Sequence, residues 1–354
     1  MPQKVYDDYW NFTLAYTDFN GSNFIGALGA IVSFIDRDRQ SDSGRRGRLE
    51  HELSNILNLN DASVRKVINQ FVKMGFIETG LISYHEDAKP YINARNDQQR
   101  RILLSRIVYS NASFARSATV DSNKREINFI VKTLKDNLSL DKHGLAALMR
   151  MEVTDDGAAT ADELAAAVTD PALKDFEARK YNQIDHLWNL LSKLDGIVVA
   201  NGLLSLQQDA TGIEDETPTT ATASQKRDPY LQQLMKSQLK NEVVRLAGRL
   251  ECMVEGMDYL PHMYIASHIK PFSKSSHSEE YDPNNCLLLG LTLDKFFDGG
   301  FISFDDDGKI LVSKRLNKHS QALNQYLSGL SLDNKYLNDA RKKYLAYHRQ
   351  NVFN

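Results

Sequence analysis

Between Gln207 and Ser224 the chain loses nearly all of its large apolar side chains, and Asp, Glu, Thr, Ser and Pro take their place in QQDATGIEDETPTTATAS. A stretch like this buries too little apolar surface to offset the entropy of ordering it, so it reads as a linker with separate bodies on either side. A length of 354 residues suits two or three domains. The expected partition is residues 1–120, 121–206, a flexible linker over 207–228, and 229–354. Charge follows it: split at 120 and 225, the chain carries 15 basic and 13 acidic groups, then 10 and 18, then 18 and 15. The formal charge of −3 is thus two mildly basic outer thirds plus an acidic middle. It excludes a uniformly basic nucleic-acid coat, but not a nucleic-acid partner for the outer thirds.

Composition places the chain among ordinary globular proteins, with 42% hydrophobic and 25% charged residues. No apolar run approaches the roughly 18 to 20 residues that cross a bilayer. Met1-Pro2-Gln3-Lys4 leads into acidic and aromatic residues, unlike a secretory signal. A cytoplasmic protein with no membrane partner is expected. Cys252 and Cys286 are far apart and neither sits in a Cys-x-x-Cys pair, so structural zinc is not expected and two buried thiols are.

In the first third, Asn23 to Asp36 reads as a buried helix. A second helix is expected from near Arg48 through Leu49, Leu53, Ile56 and Leu57. Then Asp61 is a plausible N-cap, Val64, Val67, Ile68, Phe71 and Val72 form an apolar stripe, and Gly75 stops the helix before strand-like Phe76-Ile77. Helix, short turn, helix and extended hairpin is the order of a winged helix-turn-helix. Opposite the stripe lie Ser63, Arg65, Lys66, Asn69, Gln70 and Lys73, side chains suited to base edges and phosphates; a merely solvated face has the same pattern. Arg45, Arg46 and Arg48 form a loop cluster that could reach phosphates.

The middle third repeats that order without the basic face. Helices are expected over Glu126 to Leu138, from an Asp141 cap through Leu145, Leu148 and Met149, and over Lys174 to Leu194, with Thr154 to Ala161 as a loop. Asn201-Gly202 between two apolar runs is a hairpin turn signal. A scaffold or dimerisation module is the preferred reading, with His186 and Trp188 as packing residues.

After a helix from about Tyr230 to Arg249 come YIASHIKPF (264–272), DPNNCLLLG (282–290) and TLDKFFDGGFISFDDDGKILVS (292–313), read as strand, loop, strand, helix and hairpin. Asp294 and Asp298 are four apart and share one helical face. An imidazole at a strand end, a turn amide and paired carboxylates suit metal-assisted phosphodiester hydrolysis. His268 would take a proton from water, the aspartates would hold a hard divalent cation, and Asn285 would orient the histidine by a hydrogen bond. His262 and His277 read as surface residues, and Asp305-Asp306-Asp307-Gly308 as a hairpin turn, not a metal loop.

The phrases ASHIKP, DPNN-x-LLL, KFFDGG and ISFDDDGKI resemble the HNH (ββα-metal) nuclease domain of bacterial restriction endonucleases. The resemblance extends from an opening segment at Arg249 to Gly256 to a closing helix at Tyr344 to Phe353. It implies that His268 is the general base, Asn285 the central asparagine and Asp298 a metal ligand. Asp294 falls where many members have the last histidine; a carboxylate there favours Mg²⁺, with Mn²⁺ possible, or else marks a decayed site. Ser267 falls where some branches place a metal-binding residue. The expected fold is α+β and multidomain: mainly helical winged-helix-like N-terminal modules and a C-terminal ββα-metal nuclease domain. The expected function is a type II restriction endonuclease acting on double-stranded DNA, a homodimer through the acidic middle, with a cognate methyltransferase as a possible partner. The alternatives are a modification-dependent or nicking nuclease, or a DNA-binding protein with an inactive nuclease domain.

Overall fold

A computed structural model describes residues 10–38, 42–137, 139–153, 157–207, 213–215, 227–316 and 321–354, and the chain divides into two units, Met1–Gln208 and Asp209–Asn354. Among the described residues no helix is long and apolar enough to cross a membrane. The elements are mixed, helices with small sheets.

Unit 1 opens with α1 (Ser22–Arg37), which buries Phe24, Ala27, Leu28, Ile31, Val32, Phe34 and Ile35. The next helix, α2 (Arg45–Leu57), begins three residues before the expected start, because its first turn has somewhere to put an arginine. Arg45 is buried, its Nε donating to Leu81 O at 2.8 Å and its Nη1 to Asp38 O at 2.7 Å. The arginine cluster expected in a loop is therefore a helix start, and its charges are matched within the chain: Arg46 pairs with Glu50 at 2.6 Å, and Arg48 with Asp38 at 2.8 Å and Asp42 at 2.9 Å.

Left-handed Asn58 (φ 51°) turns the chain into α3 (Asp61–Lys73). The cap of α3 is Asn60, whose side chain accepts from Ser63 N at 3.0 Å, and the expected cap, Asp61, sits one residue inside. A carboxylate in the first turn still favours the positive end of the helix. Gly75 follows at φ +81°, and a Cβ there would lie 2.6 Å from Asn111 Cβ, so this stop requires glycine on two counts. The expected hairpin is reduced to one bridge, Ile77 with Tyr84. Rings of Phe24, Phe71, Phe76 and Tyr91 meet at 4.8 to 6.0 Å behind it, all fully buried. Each removes on the order of 150–250 Å² from water, which makes this cluster the anchor of the helix pair.

Two further helices, α4 (Ala88–Ile92) and α5 (Asp97–Asn111), lead to α6 (Glu126–Asn137) and α7 (Lys142–Leu148), the last capped by Asp141 through Gly144 N at 2.7 Å. The expected loop over Thr154 to Ala161 ends in a helix that the sequence reading missed, α8 (Ala161–Val168), started by a Thr160/Glu163 capping box. Then α9 (Ala172–Ser192) runs into β1 (Ile197–Ala200) and β2 (Leu203–Leu206), which pair antiparallel around Asn201 (φ 51°) and Gly202 (φ +76°). Leu140 bridges Leu204 on the far side of β2, with N···O distances of 2.8 and 2.7 Å. The segments before and after residue 120 are stitched together: Arg101 Nη2 donates to Leu194 O at 2.7 Å, Gln98 to Asp195 at 2.8 Å, and Asp195 N to Ser105 Oγ at 2.7 Å.

Unit 2 is built on a hairpin whose strands are buried throughout. Of the linker expected over 207–228, residues 208–212 and 216–226 lie outside the described residues. Within it, β3 (Glu214–Asp215) runs parallel to β4 (Tyr264–His268). The cause is Ile213, the one large apolar side chain of that stretch, which is buried. Next comes α10 (Pro229–Ala247), capped by Asp228. Antiparallel to β4 lies β5 (Cys286–Gly290), in a register that sets Tyr264 opposite Gly290 and His268 opposite Cys286. Between them is α11 (His277–Glu280), and α12 (Leu291–Asp298) follows β5 with no intervening loop and packs on both strands. A second hairpin, β6 (Ile302–Phe304) and β7 (Ile310–Val312), precedes α13 (Gln321–Ser328) and α14 (Asp339–Asn351). Its Asp305-Asp306-Asp307-Gly308 segment is a turn, with Asp305 Oδ1 accepting from Asp307 N and Lys309 N at 3.0 and 2.8 Å.

Candidate active site

His268 ends β4 opposite Cys286, with Asn285 O accepting from the next residue, Ile269 N, at 2.8 Å, while α12, which carries Asp294 and Asp298, starts from the other end of β5 and packs on both strands. His268 is the last residue of β4 and is 3% exposed. Its Nε2 lies 3.0 Å from Glu280 O. A carbonyl can only accept, so Nε2 carries a proton, and in the tautomer this contact selects Nδ1 is the basic nitrogen. The ring meets Phe272 edge-on at 5.7 Å, and Phe272 meets Tyr281 at 5.8 Å, a dry wall beside the imidazole.

Asn285 has a different job from the one expected of it. It is fully buried; its Oδ1 accepts from Lys270 N at 2.8 Å, and its Nδ2 faces Glu279 O at 3.0 Å, Lys270 O at 3.1 Å and Ser275 Oγ at 3.2 Å. These bonds use the whole amide to close the loop from Lys270 to Glu279. Orientation of His268 is supplied by the Glu280 carbonyl at the end of that loop, so Asn285 acts on the histidine one step removed. Its neighbour Asn284 turns outward and accepts from Asn338 at the start of α14. That turn is further clamped by Arg341, fully buried on α14, which reaches Glu242 of α10 through two bonds of 3.0 and 2.8 Å and Pro283 O at 3.2 Å.

The two aspartates share one face of α12 but differ in exposure, Asp294 being fully buried and Asp298 half-buried. Lys295 Nζ lies 3.3 Å from Asp294 Oδ2. The C-terminal end of α12 is held by His348 of α14, which stacks on Phe297 at 4.0 Å, bonds Phe297 O at 3.1 Å through Nε2, and meets Ser303 Oγ at 3.0 Å through Nδ1. Burial pushes the His348 ring down to about 4, so it is neutral at ordinary pH. No sequence signal identified it, because its partners are 45 and 51 residues away.

Among the described residues, no group of three or more His, Cys, Asp or Glu side chains is arranged to hold a metal ion. Ser267 Oγ, buried beside His268 in sequence, has no hydrogen-bond partner among them. Asp294 and Asp298 are the carboxylates on this helix that could hold a hard divalent cation, whose remaining coordination positions would be taken by water and a substrate phosphate.

In unit 1, the residues expected to read DNA are not equivalent. Arg65 and Lys66 are exposed on α3, with Arg65 4.0 Å from Glu50. Ser63 is half-buried in its first turn. Asn69 Oδ1 accepts from Ala118 N at 3.0 Å, and Lys73 Nζ donates to Asn11 O at 2.6 Å, with its pKa lowered by burial. Gln70 is buried and binds Ala15 N, Tyr16 N and Tyr16 O. One flank of the polar face thus holds neighbouring chain, and the other points outward.

Residues 252–305 match the HNH endonuclease family. The match spans β4, α11, β5, α12 and β6, and contains His268, Asn285, Asp294 and Asp298. No curated protein matches the chain.

Proposed function

We propose that the protein is a DNA endonuclease in which unit 2 hydrolyses phosphodiester bonds and unit 1 supplies recognition. The observation that carries this is the His268–Glu280 carbonyl bond within the segment matched to HNH endonucleases, since it sets Nδ1 as a base. Water bound at Nδ1 gives up its proton there, the resulting hydroxide attacks phosphorus, and the bond from phosphorus to the leaving sugar oxygen breaks. Asn285 keeps the loop closed so that the carbonyl holds the ring through that transfer. A divalent cation held by Asp294 and Asp298 would supply positive charge against the developing phosphorane.

Recognition is assigned to unit 1, where α2, the turn at Asn58 and α3 form a helix-turn-helix, and Leu140, α7 to α9 and the β1–β2 hairpin form a second winged arrangement. Arg65 and Lys66 are the proposed DNA contacts and Ser63 a contact at the start of α3, while Asn69 and Lys73 act by holding the helix in place. A reader joined to a cutter suits a type II restriction enzyme, with two copies arranged to cut both strands and a cognate methyltransferase protecting the host. Digestion of unmodified and cytosine-modified plasmid with Mg²⁺, Mn²⁺ or EDTA tests this. Metal-dependent cutting of unmodified DNA at fixed sites is expected; cutting only of modified DNA would make the enzyme modification-dependent, and no cutting with any metal would remove the enzyme. The second reading, a DNA-binding protein with a silent nuclease site, is favoured by Asp294, which is buried against Lys295.

A further inference from the structure

We propose that the segment from Ser117 to Arg125 is a second DNA-contacting element of unit 1, with Lys124 and Arg125 gripping the phosphate backbone beside α3; this rests on the assignment of recognition to unit 1. Two of the α3 residues expected to meet DNA are held by neighbouring chain, and the segment between α5 and α6 covers that half of the helix. Asn69 Oδ1 accepts from Ala118 N at 3.0 Å. Ser113 N donates at 2.8 Å to Lys73 O, at the end of α3, and Gly80 N donates to Ala118 O at 3.0 Å. The segment therefore runs beside the C-terminal half of α3 and the chain that follows it.

Its shape is set from within. Ser117 N donates to Val120 O at 2.9 Å, and Ser117 Oγ accepts from Thr119 N at 3.3 Å and Val120 N at 3.0 Å, which closes a tight tip. Arg116 ties the two legs together: its Nε donates to Ser122 O at 2.8 Å and its Nη1 to Asn111 O at 3.0 Å, and the guanidinium pairs with Asp121 at 3.1 Å. The return leg ends at Glu126, whose buried carboxylate accepts from Phe114 N at 3.1 Å. Phe114 adjoins Ser113, so Lys124 and Arg125 are brought to the C-terminal end of α3.

Charge decides what this element is for. Arg116 and Asp121 are engaged within the loop, whereas Lys124 and Arg125 are exposed and make no side-chain hydrogen bond or ion pair among the described residues. The charge of Lys124 reaches Glu126 only through space. Both cations stand just before α6, at the end of a helix where acidic groups are favoured, so helix stability does not account for them. Arg65 lies eight residues before Lys73, about 12 Å along the helix axis, and the major groove of DNA is about 12 Å wide. With Arg65 and Lys66 at one end of α3 and Lys124 and Arg125 at the other, a groove lying against the helix meets cations on both of its phosphate walls. The closed tip leaves little ordering to be done when the backbone is bound.

The test measures binding of the full chain to mixed-sequence duplex DNA in EDTA over a range of salt. Lys124→Gln with Arg125→Gln should make the slope of log affinity against log salt shallower by about two, while Lys124→Arg with Arg125→Lys keeps the parental slope. An unchanged slope in the glutamine pair, or an equal loss of slope in the conservative pair, overturns the proposal. So does weaker binding at the parental slope with a lowered melting temperature, which is the result of a scaffold role. Arg65→Ala with Lys66→Ala, measured alongside, separates this proposal from the reading it rests on. If that pair flattens the slope and the glutamine pair does not, only the second element is refuted. If neither pair changes the slope, or the parent binds no duplex, recognition by unit 1 falls as well.

Discussion

Asn285 is the residue whose role the structure changes most, and its replacement gives the sharpest test. Asn285→Ala leaves Lys270 N, Lys270 O and Glu279 O facing a buried void, with Ser275 Oγ losing a weaker bond. A buried polar group deprived of its partner costs about 1–3 kcal/mol, and partial relaxation of an irregular loop brings the set to roughly 3–5 kcal/mol. For a unit of this size each kcal/mol lowers the melting temperature by roughly 2–4 °C, so the unit 2 transition should drop by on the order of 10 °C. Calorimetry without metal or DNA measures this free of any catalytic contribution. Asn285→Asp has the same shape and can still accept from Lys270 N, but sets a carboxylate against two carbonyl oxygens. It should be at least as destabilised at neutral pH and should recover as the solution is acidified toward the carboxyl's own titration. If Asn285→Ala melts within about 1 kcal/mol of the parent, the loop is held by something else and the positioning argument for His268 fails with it.

His268→Ala should abolish cutting while leaving affinity for DNA near the parental value, with a lowered melting temperature because Glu280 O loses its buried partner, and retained cleavage would move the base elsewhere. Replacing Arg65 and Lys66 together by alanine should flatten the salt dependence of DNA binding by about two in slope; Asn69→Ala should leave the slope unchanged, because its side chain binds Ala118 N. Burial pushes both His85 and His348 down to about 4, from an ordinary value of 6.5. The unfolded chain takes up protons below pH 6.5 that the folded chain refuses until about pH 4, so stability is fully present above 6.5 and falls across that window. The slope is up to about 1.4 kcal/mol per pH unit for each histidine, and His348→Gln should flatten the unit 2 part of a pH series of melts. An unchanged pH series in that variant would show that His348 is not the titrating group.

Much of unit 2 was legible because its signals are local. Strand ends at His268 and Gly290, the helix stopped at Gly299, and the turn at Asp305 to Gly308 each depend on residues within a few positions, and HNH-like phrases mark the same stretch. Expectations failed where a side chain found a distant partner. Arg45 looked like a loop cation until the Leu81 carbonyl was placed beside it, and Asn69, Gln70 and Lys73 looked like a DNA face until residues 11–16 and 118 were. Thr160 and Glu163 were a readable capping box, and their helix was missed because the polar run before them outweighed it.

The sequence by itself determined which residues are candidates for the chemistry: a strand-end histidine, the asparagine at position 285, and two aspartates one helical turn apart. Those follow from the periodicities of strand and helix, which act over a few residues. Only the tertiary structure decided what each one does. It sent Asn285 inward to the loop and Asn284 outward to α14, fixed the His268 proton on Nε2 through a backbone carbonyl, and brought His348 and Arg341 from the closing helix to hold α12 and the asparagine turn. Hydrogen bonds and buried charges are satisfied by whatever the fold brings within about 3 Å, and that proximity is a property of the packed chain, not of the order of its residues.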